Sequence, residues 1–373
     1  MTLGFLLGYM ANDYFRDQKR EFPIFLQAYQ IIRDHGLKEL PAQPEVEYGM
    51  IRGLIQAYDD PFTVFVEPIQ HELESDKLQG SYGGIGVRLS RDSHGNVLLY
   101  PFKSSPAASV GVLEGDRLMY VNDMDIGLDT SFDAVRALLR GPIGERVGIT
   151  VVRSTEPTPL EYSIKRSEIS LPSVTWHLDP EESKIGVIEV NVIAASTVQE
   201  IENAYKDLDK RGAMLYILDL RDNFGGLLTA GVDIASLFLY DGIVMEQQFR
   251  DQDIEIHEVK NTGPLADIPL VVLVNQHTAS AAEIVAGALK AHSRSMIIGT
   301  PTFGKDSVQL VFELRDDSSV RVTAAKWWIP GLYPDVGVAG ILPDLEISPT
   351  SDEAEFDLVV KAARELLIKE YSE

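Results

Sequence analysis

Apolar positions along this chain change their period twice. Phe25, Tyr29 and Ile32 form one run, and Val46, Met50, Leu54 and Tyr58 another, at three- to four-residue spacing. That is the repeat of one helix face. Pro23 opens the first run and His35-Gly36 closes it, while Asp59-Asp60-Pro61 stops the second. Proline early and glycine late is the asymmetry a helix requires. Neither run carries a catalytic group, so residues 12–78 read as a helical region for packing and support. From 79 to 168 the period shortens to two. Strands are predicted at 86–90, 97–100, 118–121, 147–153 and 160–165, between turns such as Glu114-Gly115-Asp116 and Gly141-Pro142. One helix fits 131–140, with Thr130 as N-cap, Asp133 completing a capping box, and Val135, Leu138 and Leu139 as its apolar stripe.

From 169 onward the strands become almost wholly apolar, at 185–190, 214–220, 271–275 and 296–299. They alternate with helices that follow Ser196 or Thr197, the pair Gly225-Gly226, and Thr278. A last helix spans 356–371, with Leu358, Ala362 and Leu366 in register. Continuous apolar strands alternating with helices imply a sheet covered on both faces. The expected fold class is α/β (α+β) and multidomain: a helical region at 1–78, a small β-rich module at 79–168, and an alternating β/α core at 169–373.

Composition narrows the function classes. The 373 residues suit about two domains of ordinary size. The 33 Lys and Arg against 57 Asp and Glu give a net charge of −24, which disfavours nucleic acid and anionic lipid as partners of the whole surface. With no cysteine, disulfides, thiolate catalysis and Cys-based zinc sites are excluded. No stretch reaches the roughly 18 apolar residues of a spanning helix. Residues 3–11 are apolar and read in two ways, as the tail end of a signal anchor or as a short buried or frayed terminus.

There is no G-x-S-x-G elbow, no phosphate-binding loop and no H-E-x-x-H. His277 and His292 have no carboxylate partner evident in the sequence and read as surface or capping residues. What remains is a strand–turn–helix ending Thr278-Ala279-Ser280-Ala281-Ala282-Glu283. With Thr278 as N-cap, Ser280 falls in the first helical turn. There it sits at the positive end of the helix dipole, beside backbone N–H groups that can hold an oxyanion. Small neighbours leave room for a substrate, although close helix–strand packing explains them equally well. A base is offered by Lys305, in Phe303-Gly304-Lys305-Asp306-Ser307-Val308-Gln309. A lysine base must be neutral, so its pKa must fall from about 10.4 to roughly 7–8. The helix dipole contributes only about 0.3–1 kcal/mol, so burial must supply most of the shift. Phe303, Val308 and Leu310 are candidates for that apolar wall.

These motifs, in this order, resemble the carboxyl-terminal processing peptidase family, the tail-specific proteases. The likeness runs nearly end to end. Asp59-Asp60-Pro61-Phe62-Thr63 resembles the N-terminal helical region. Gly83-Gly84-Ile85-Gly86-Val87 and Gly115-Asp116-Arg117-Leu118 resemble its PDZ domain. Leu218-Asp219-Leu220-Arg221-Asp222-Asn223-Phe224-Gly225-Gly226 resembles its L-D-L-R-x-N-P-G-G segment, and Gly340-Ile341-Leu342-Pro343-Asp344 a late motif. Lys305 stands 25 residues after Ser280. The resemblance implies a core of the crotonase/retinoid-binding-protein-like kind and a serine endopeptidase with no cofactor and no metal. Its roles would be Ser280 as nucleophile, Lys305 as general base, Gln309 as the residue orienting the lysine, and Gly225 or Gly226 with Ala281 as oxyanion donors. It also implies that Gly84, Ile85, Gly86 and Val87 bind the free C-terminus of a protein or peptide substrate, with an apolar last side chain. Arg153 is the candidate contact from module to core.

An extracytoplasmic location is expected, with membrane association on the first of the two readings of residues 3–11. In an ideal strand Lys305 and Gln309 lie about 13 Å apart, so they meet only if the segment bends or the side chains lean together. Two residues depart from the family: Phe224 replaces proline, and Asp306 replaces glycine beside the lysine. A catalytically silent peptide-binding protein and a hydrophobic-ligand carrier are the alternatives from other classes.

Overall fold

The computed structural model describes residues 22–347 and 354–371. The chain divides after Phe65 into two compact units. The first holds the two expected helices, α1 (Pro23–His35) and α2 (Gln43–Tyr58), each with proline in its opening turn. Gly36 closes α1 by donating its N–H to Ile32 O, and Asp59 ends α2 in the left-handed region at φ 58°. The rings of Tyr48 and Phe65 pack 4.9 Å apart. A short strand, β1 (Val64–Val66), crosses the division.

The second unit opens with helix α3 (Pro68–Gln79). Strand β2 (Ser81–Gly84) then pairs antiparallel with β9 (Ser167–Ser170), Gly84 opposite Ser167. Between them lies the β module. Its sheet runs β3 (Val87–Arg91), β4 (Val97–Pro101), β5 (Asp116–Val121), β7 (Arg146–Val152), β8 (Leu160–Lys165), with the short β6 (Met124–Asp125) on β5. Helices α4 (Pro106–Ser109) and α5 (Phe132–Leu139) complete it. Leu99, Leu118, Val121, Val135, Val147 and Ile164 form a core of their own.

Two expectations for this module are corrected. Ser131, not Thr130, caps α5: its Oγ accepts from the Ala134 N–H at 3.2 Å. Thr130 is held outside the helix because Arg91 takes its carbonyl, and Asp133 bonds Arg136 Nη1 at 2.7 Å instead of closing a capping box. Arg153 does not reach the core. Its guanidinium grips the buried Asp116 through two bonds of 2.8 Å, inside the module.

The core sheet runs β10 (Val174–Leu178), β11 (Ile185–Val190), β12 (Leu215–Asp219), β15 (Leu270–Val274), β16 (Met296–Gly299), β19 (Leu345–Glu346), parallel from β11 onward. Alternate residues along each strand face opposite sides. Ile188, Leu218 and Val272 pack with Ile201 of α6 (Thr197–Lys210), Ile234 of α7 (Leu228–Phe238) and Val285 of α8 (Ala281–Ala291). Val187, Ile217 and Leu273 pack with Val359, Ala363 and Leu367 of α9 (Ala354–Tyr371). Both faces are covered, as continuous apolar strands require. A second sheet was not expected. Strands β17 (Ser307–Glu313), β18 (Ser319–Trp328), β13 (Ile243–Phe249) and β14 (Ile254–Glu258) pair antiparallel in that order.

Candidate active site

Open parallel sheets gather functional loops at the carboxyl ends of their strands. Here the loops after β12 and β15 are laced together. Thr278 is not a helix cap. It is fully buried, and its Oγ1 donates to Leu220 O at 2.8 Å and accepts from the Asn275 N–H at 3.0 Å. Helix α8 therefore starts two residues later than expected, and Ser280 is its N-cap, at φ 55°, ψ −120°. A serine held there stores about 1–3 kcal/mol of backbone strain, and such strain gathers where a side chain must be aimed. The Ala279 N–H donates to Asn223 O at 2.9 Å, which holds the turn.

Asn223 is fully buried and organises the glycine loop. Its Nδ2 donates to Val190 O at 2.7 Å, and its Oδ1 accepts the Gly225 N–H at 2.9 Å. That N–H is therefore engaged. Gly225 instead serves by proximity: a Cβ there would lie 3.0 Å from Ser280 Cβ and 3.1 Å from the Ala281 nitrogen. At Gly226 a Cβ would collide with the Ile193 carbonyl, which the Leu227 N–H also uses.

Glu283 was missed as a site residue. It is wholly buried, one helical turn from Ser280. Its Oε2 accepts the N–H groups of Ser280 (2.8 Å) and Lys305 (3.0 Å), and its Oε1 the Thr302 hydroxyl (2.6 Å) and the Gly304 N–H (2.7 Å). One carboxylate thus joins the serine turn to the lysine loop. Burial pushes its pKa above the usual carboxylate range, and the four donors oppose that shift. The Ser-x-x-Glu spacing at a helix start was the signal that could have found it.

Lys305 lies before β17, just after Gly304 at φ 87°, and its Nζ donates to Gln309 Oε1 at 2.6 Å. A register shift in β17 between Val308 and Gln309 interrupts the extended segment that would otherwise hold these two residues apart. Asp306 turns its carboxylate to Lys326 Nζ at 3.2 Å, against Gly337, where a Cβ would collide with it. The expected apolar wall is only partly present. Phe303 is 56% exposed and Leu310 37%, while Val308 lines the cleft. That cleft, ≈ 650 Å³, is shared by Ser280, Lys305, Gln309, Phe224, Gly225 and Gly226. Phe224 stacks on His277, centroids 5.7 Å apart, and His277 Nδ1 lies 2.8 Å from Asp222 Oδ1. This carboxylate partner of His277, distant in sequence, was not foreseen.

In the β module, β3 is the edge strand of its sheet. Ile85, Gly86, Val87 and Leu89 form one side of a ≈ 60 Å³ hollow, and Arg136, Leu139 and Arg140 line it from the end of α5. Of the three apolar helix residues expected there, only Leu139 lines it. Val135 is buried in the module's core and Leu138 packs against that core. Among the described residues no His, Asp and Glu cluster is suited to a metal, and no helix is long and apolar enough to cross a membrane. Residues 3–11 lie outside the described residues.

Residues 184–347 match the model of peptidase family S41, and residues 103–153 match a PDZ domain. Fold and matches together define a serine-type peptidase bearing a PDZ domain. A carboxyl-terminal-processing protease of Picosynechococcus sp. (strain ATCC 27264 / PCC 7002 / PR-6) is 35% identical over 356 residues, 92% of this chain and 84% of that protein. The carboxy-terminal processing protease CtpA of Bacillus subtilis (strain 168) is 33% identical, over 91% and 75% respectively. A solved photosystem II D1 C-terminal processing protease is 30% identical and covers 89% of this chain and 90% of that one, with a TM-score of 0.46. The chain belongs to the carboxyl-terminal processing protease family.

Proposed function

We propose that the chain is an endopeptidase that cleaves proteins near a free C-terminus through a Ser280–Lys305 dyad. The observation that carries this reading is the contact of Lys305 Nζ with Gln309 Oε1, in the cleft that Ser280 also lines. A donor bond from Nζ to Gln309 orients the amine in the cleft that Ser280 lines. In this mechanism Lys305 takes the proton from Ser280, and Oγ attacks the scissile carbonyl. The negative oxygen of the tetrahedral intermediate is held by the N–H groups of Gly226 and Ala281, since the Gly225 N–H is engaged with Asn223. The C–N bond then breaks, and Lys305 returns its proton to the leaving amine. Water, deprotonated by the same lysine, hydrolyses the acyl-enzyme.

The PDZ domain selects the substrate. The tail adds as a strand to the edge of β3, and backbone N–H groups at Gly84, Ile85, Gly86 and Val87 receive its carboxylate. Its last side chain is apolar and meets Ile85, Leu89 and Leu139. The location is extracytoplasmic. Two of the family's relatives in Arabidopsis thaliana are named as chloroplastic, in line with a compartment outside the cytosol.

A serine-directed phosphonate should label Ser280, and Ser280→Ala should abolish cleavage of an unfolded protein while leaving tail binding intact. An unlabelled, inactive wild-type chain that still binds tails would instead identify a silent peptide-binding protein. Turnover by Ser280→Ala would remove the nucleophile assignment.

A further inference from the structure

Arg136 and Arg140 stand one helical turn apart on the wall of the PDZ groove, in a chain whose net charge is −24. We propose that Arg136 reads an acidic side chain at the antepenultimate position of the substrate tail. This deepens the tail-binding reading above and rests on it.

The register follows from the backbone. The Gly141 N–H donates to Gly83 O at 3.1 Å, and the Arg140 guanidinium lies 4.2 Å from the Tyr82 ring centre. The end of α5 is thereby fixed beside the loop assigned to the terminal carboxylate. A tail added antiparallel to β3 runs in the same direction as α5, so its earlier residues lie toward the helix start. Arg136 is four residues before Arg140, about 6 Å back along the axis at 1.5 Å per residue. Two residues of strand cover about 6.6 Å, and alternate side chains share a face. When the last side chain sits against Leu139, the side chain two residues earlier faces Arg136.

The two arginines differ in availability. Arg140 is 12% exposed, pairs with Asp76 of α3, and lies over Tyr82, so it is a fixed charge. Arg136 is 43% exposed and pairs with Asp133, itself 50% exposed. Such an exposed pair is worth about 0–1 kcal/mol and exchanges readily for an incoming carboxylate. The net charge of −24 disfavours an acidic tail overall, and the two arginines offset that repulsion at this groove wall.

The test uses the full chain carrying Ser280→Ala, so that peptides are bound and not consumed. Ten-residue fluorescent peptides end in the same apolar residue and differ only in Asp, Ala or Lys at the antepenultimate position. Anisotropy should show Asp bound roughly fivefold more tightly than Lys, with Ala between. The spread should collapse in 1 M salt, where the screening length is about 3 Å. Arg136→Glu should reverse the order. Should that variant fail to fold, Arg136→Gln should flatten the order, and the salt series is read on the unaltered groove. If the three tails bind alike while amidating the C-terminus weakens all of them, the arginine assignment is wrong and tail binding stands. If the amide binds as well as the free acid, tail binding itself fails and takes this inference with it.

Discussion

Four donors from two separate loops converge on Glu283, and that makes this side chain the most informative to change. An amide keeps one acceptor oxygen and turns an NH₂ group toward donors it cannot satisfy. Glu283→Gln should cost about 1–3 kcal/mol of stability. It should also lower kcat far more than it raises KM, although the serine hydroxyl and the lysine amine both remain. The sign of the pH effect follows from burial. The folded chain holds the Glu283 proton more tightly than the unfolded chain, whose carboxyl titrates near about 4.3. Stability from this group is therefore full below that range and is lost as pH rises through the raised folded value. Denaturant unfolding from acid to neutral pH should show wild-type stability falling relative to Glu283→Gln. A rising difference would mean that the four bonds outweigh burial. Lys305→Arg should be inactive in peptide cleavage, because a guanidinium does not give up its proton at working pH. Asp306→Gly, by contrast, should leave the acidic limb of activity in place, since Asp306 faces Lys326.

At the scale of elements, the glycine loop makes the sharpest demand. Gly226 at φ 153° bridges to Ile193, and a Cβ would strike the Ile193 carbonyl. Gly226→Ala should abolish hydrolysis while circular dichroism shows the sheet retained; full activity would exclude this loop from the oxyanion site. The elements that were legible in the sequence share one property, an apolar pattern that is either regularly spaced or unbroken. Helices α1 and α2 have a regular apolar spacing, and β12 and β15 are apolar throughout because both faces are covered. Strand β17 leaves the adjacent Val311 and Phe312 exposed on opposite faces, and β14 alternates over Ile254 and Ile256 alone, both exposed, so neither strand announces a buried face. Helix α3 has no buried residue and no apolar stripe to announce it. Ser280 and Lys305, the proposed dyad, were singled out through the ordered motifs, and both line one cleft. The left-handed turn at Ser280, however, sets the helix start, and residue type there favours Thr278 just as well. Contacts such as His277 with Asp222 depend on which loops the sheet brings together, and no local pattern encodes them.

Across the molecule, α3 links the two places where a substrate would be held. Asp76 pairs with Arg140 on the PDZ groove, and Glu74, two residues earlier, pairs with Arg321 in the cleft. Burial lowers the pKa of Arg321, so its charge is held at a desolvation cost, with Glu74 as its ion-pair partner. Glu74→Gln should lower the unfolding free energy by about 1–3 kcal/mol and slow phosphonate labelling of Ser280, measured by denaturation and by mass spectrometry. Unchanged labelling would make α3 a packing element only. The ribbon of β2 and β9 has a consequence of a different kind. The chain enters the PDZ domain at Gly84 and leaves it at Ser167, and those two residues are direct partners across the ribbon. A segment whose ends already meet can be exchanged without moving anything outside it. If the PDZ domain selects substrates as proposed, it is in effect a cassette, and lineages that swap it would acquire new targets while the cutting machinery stays as it is.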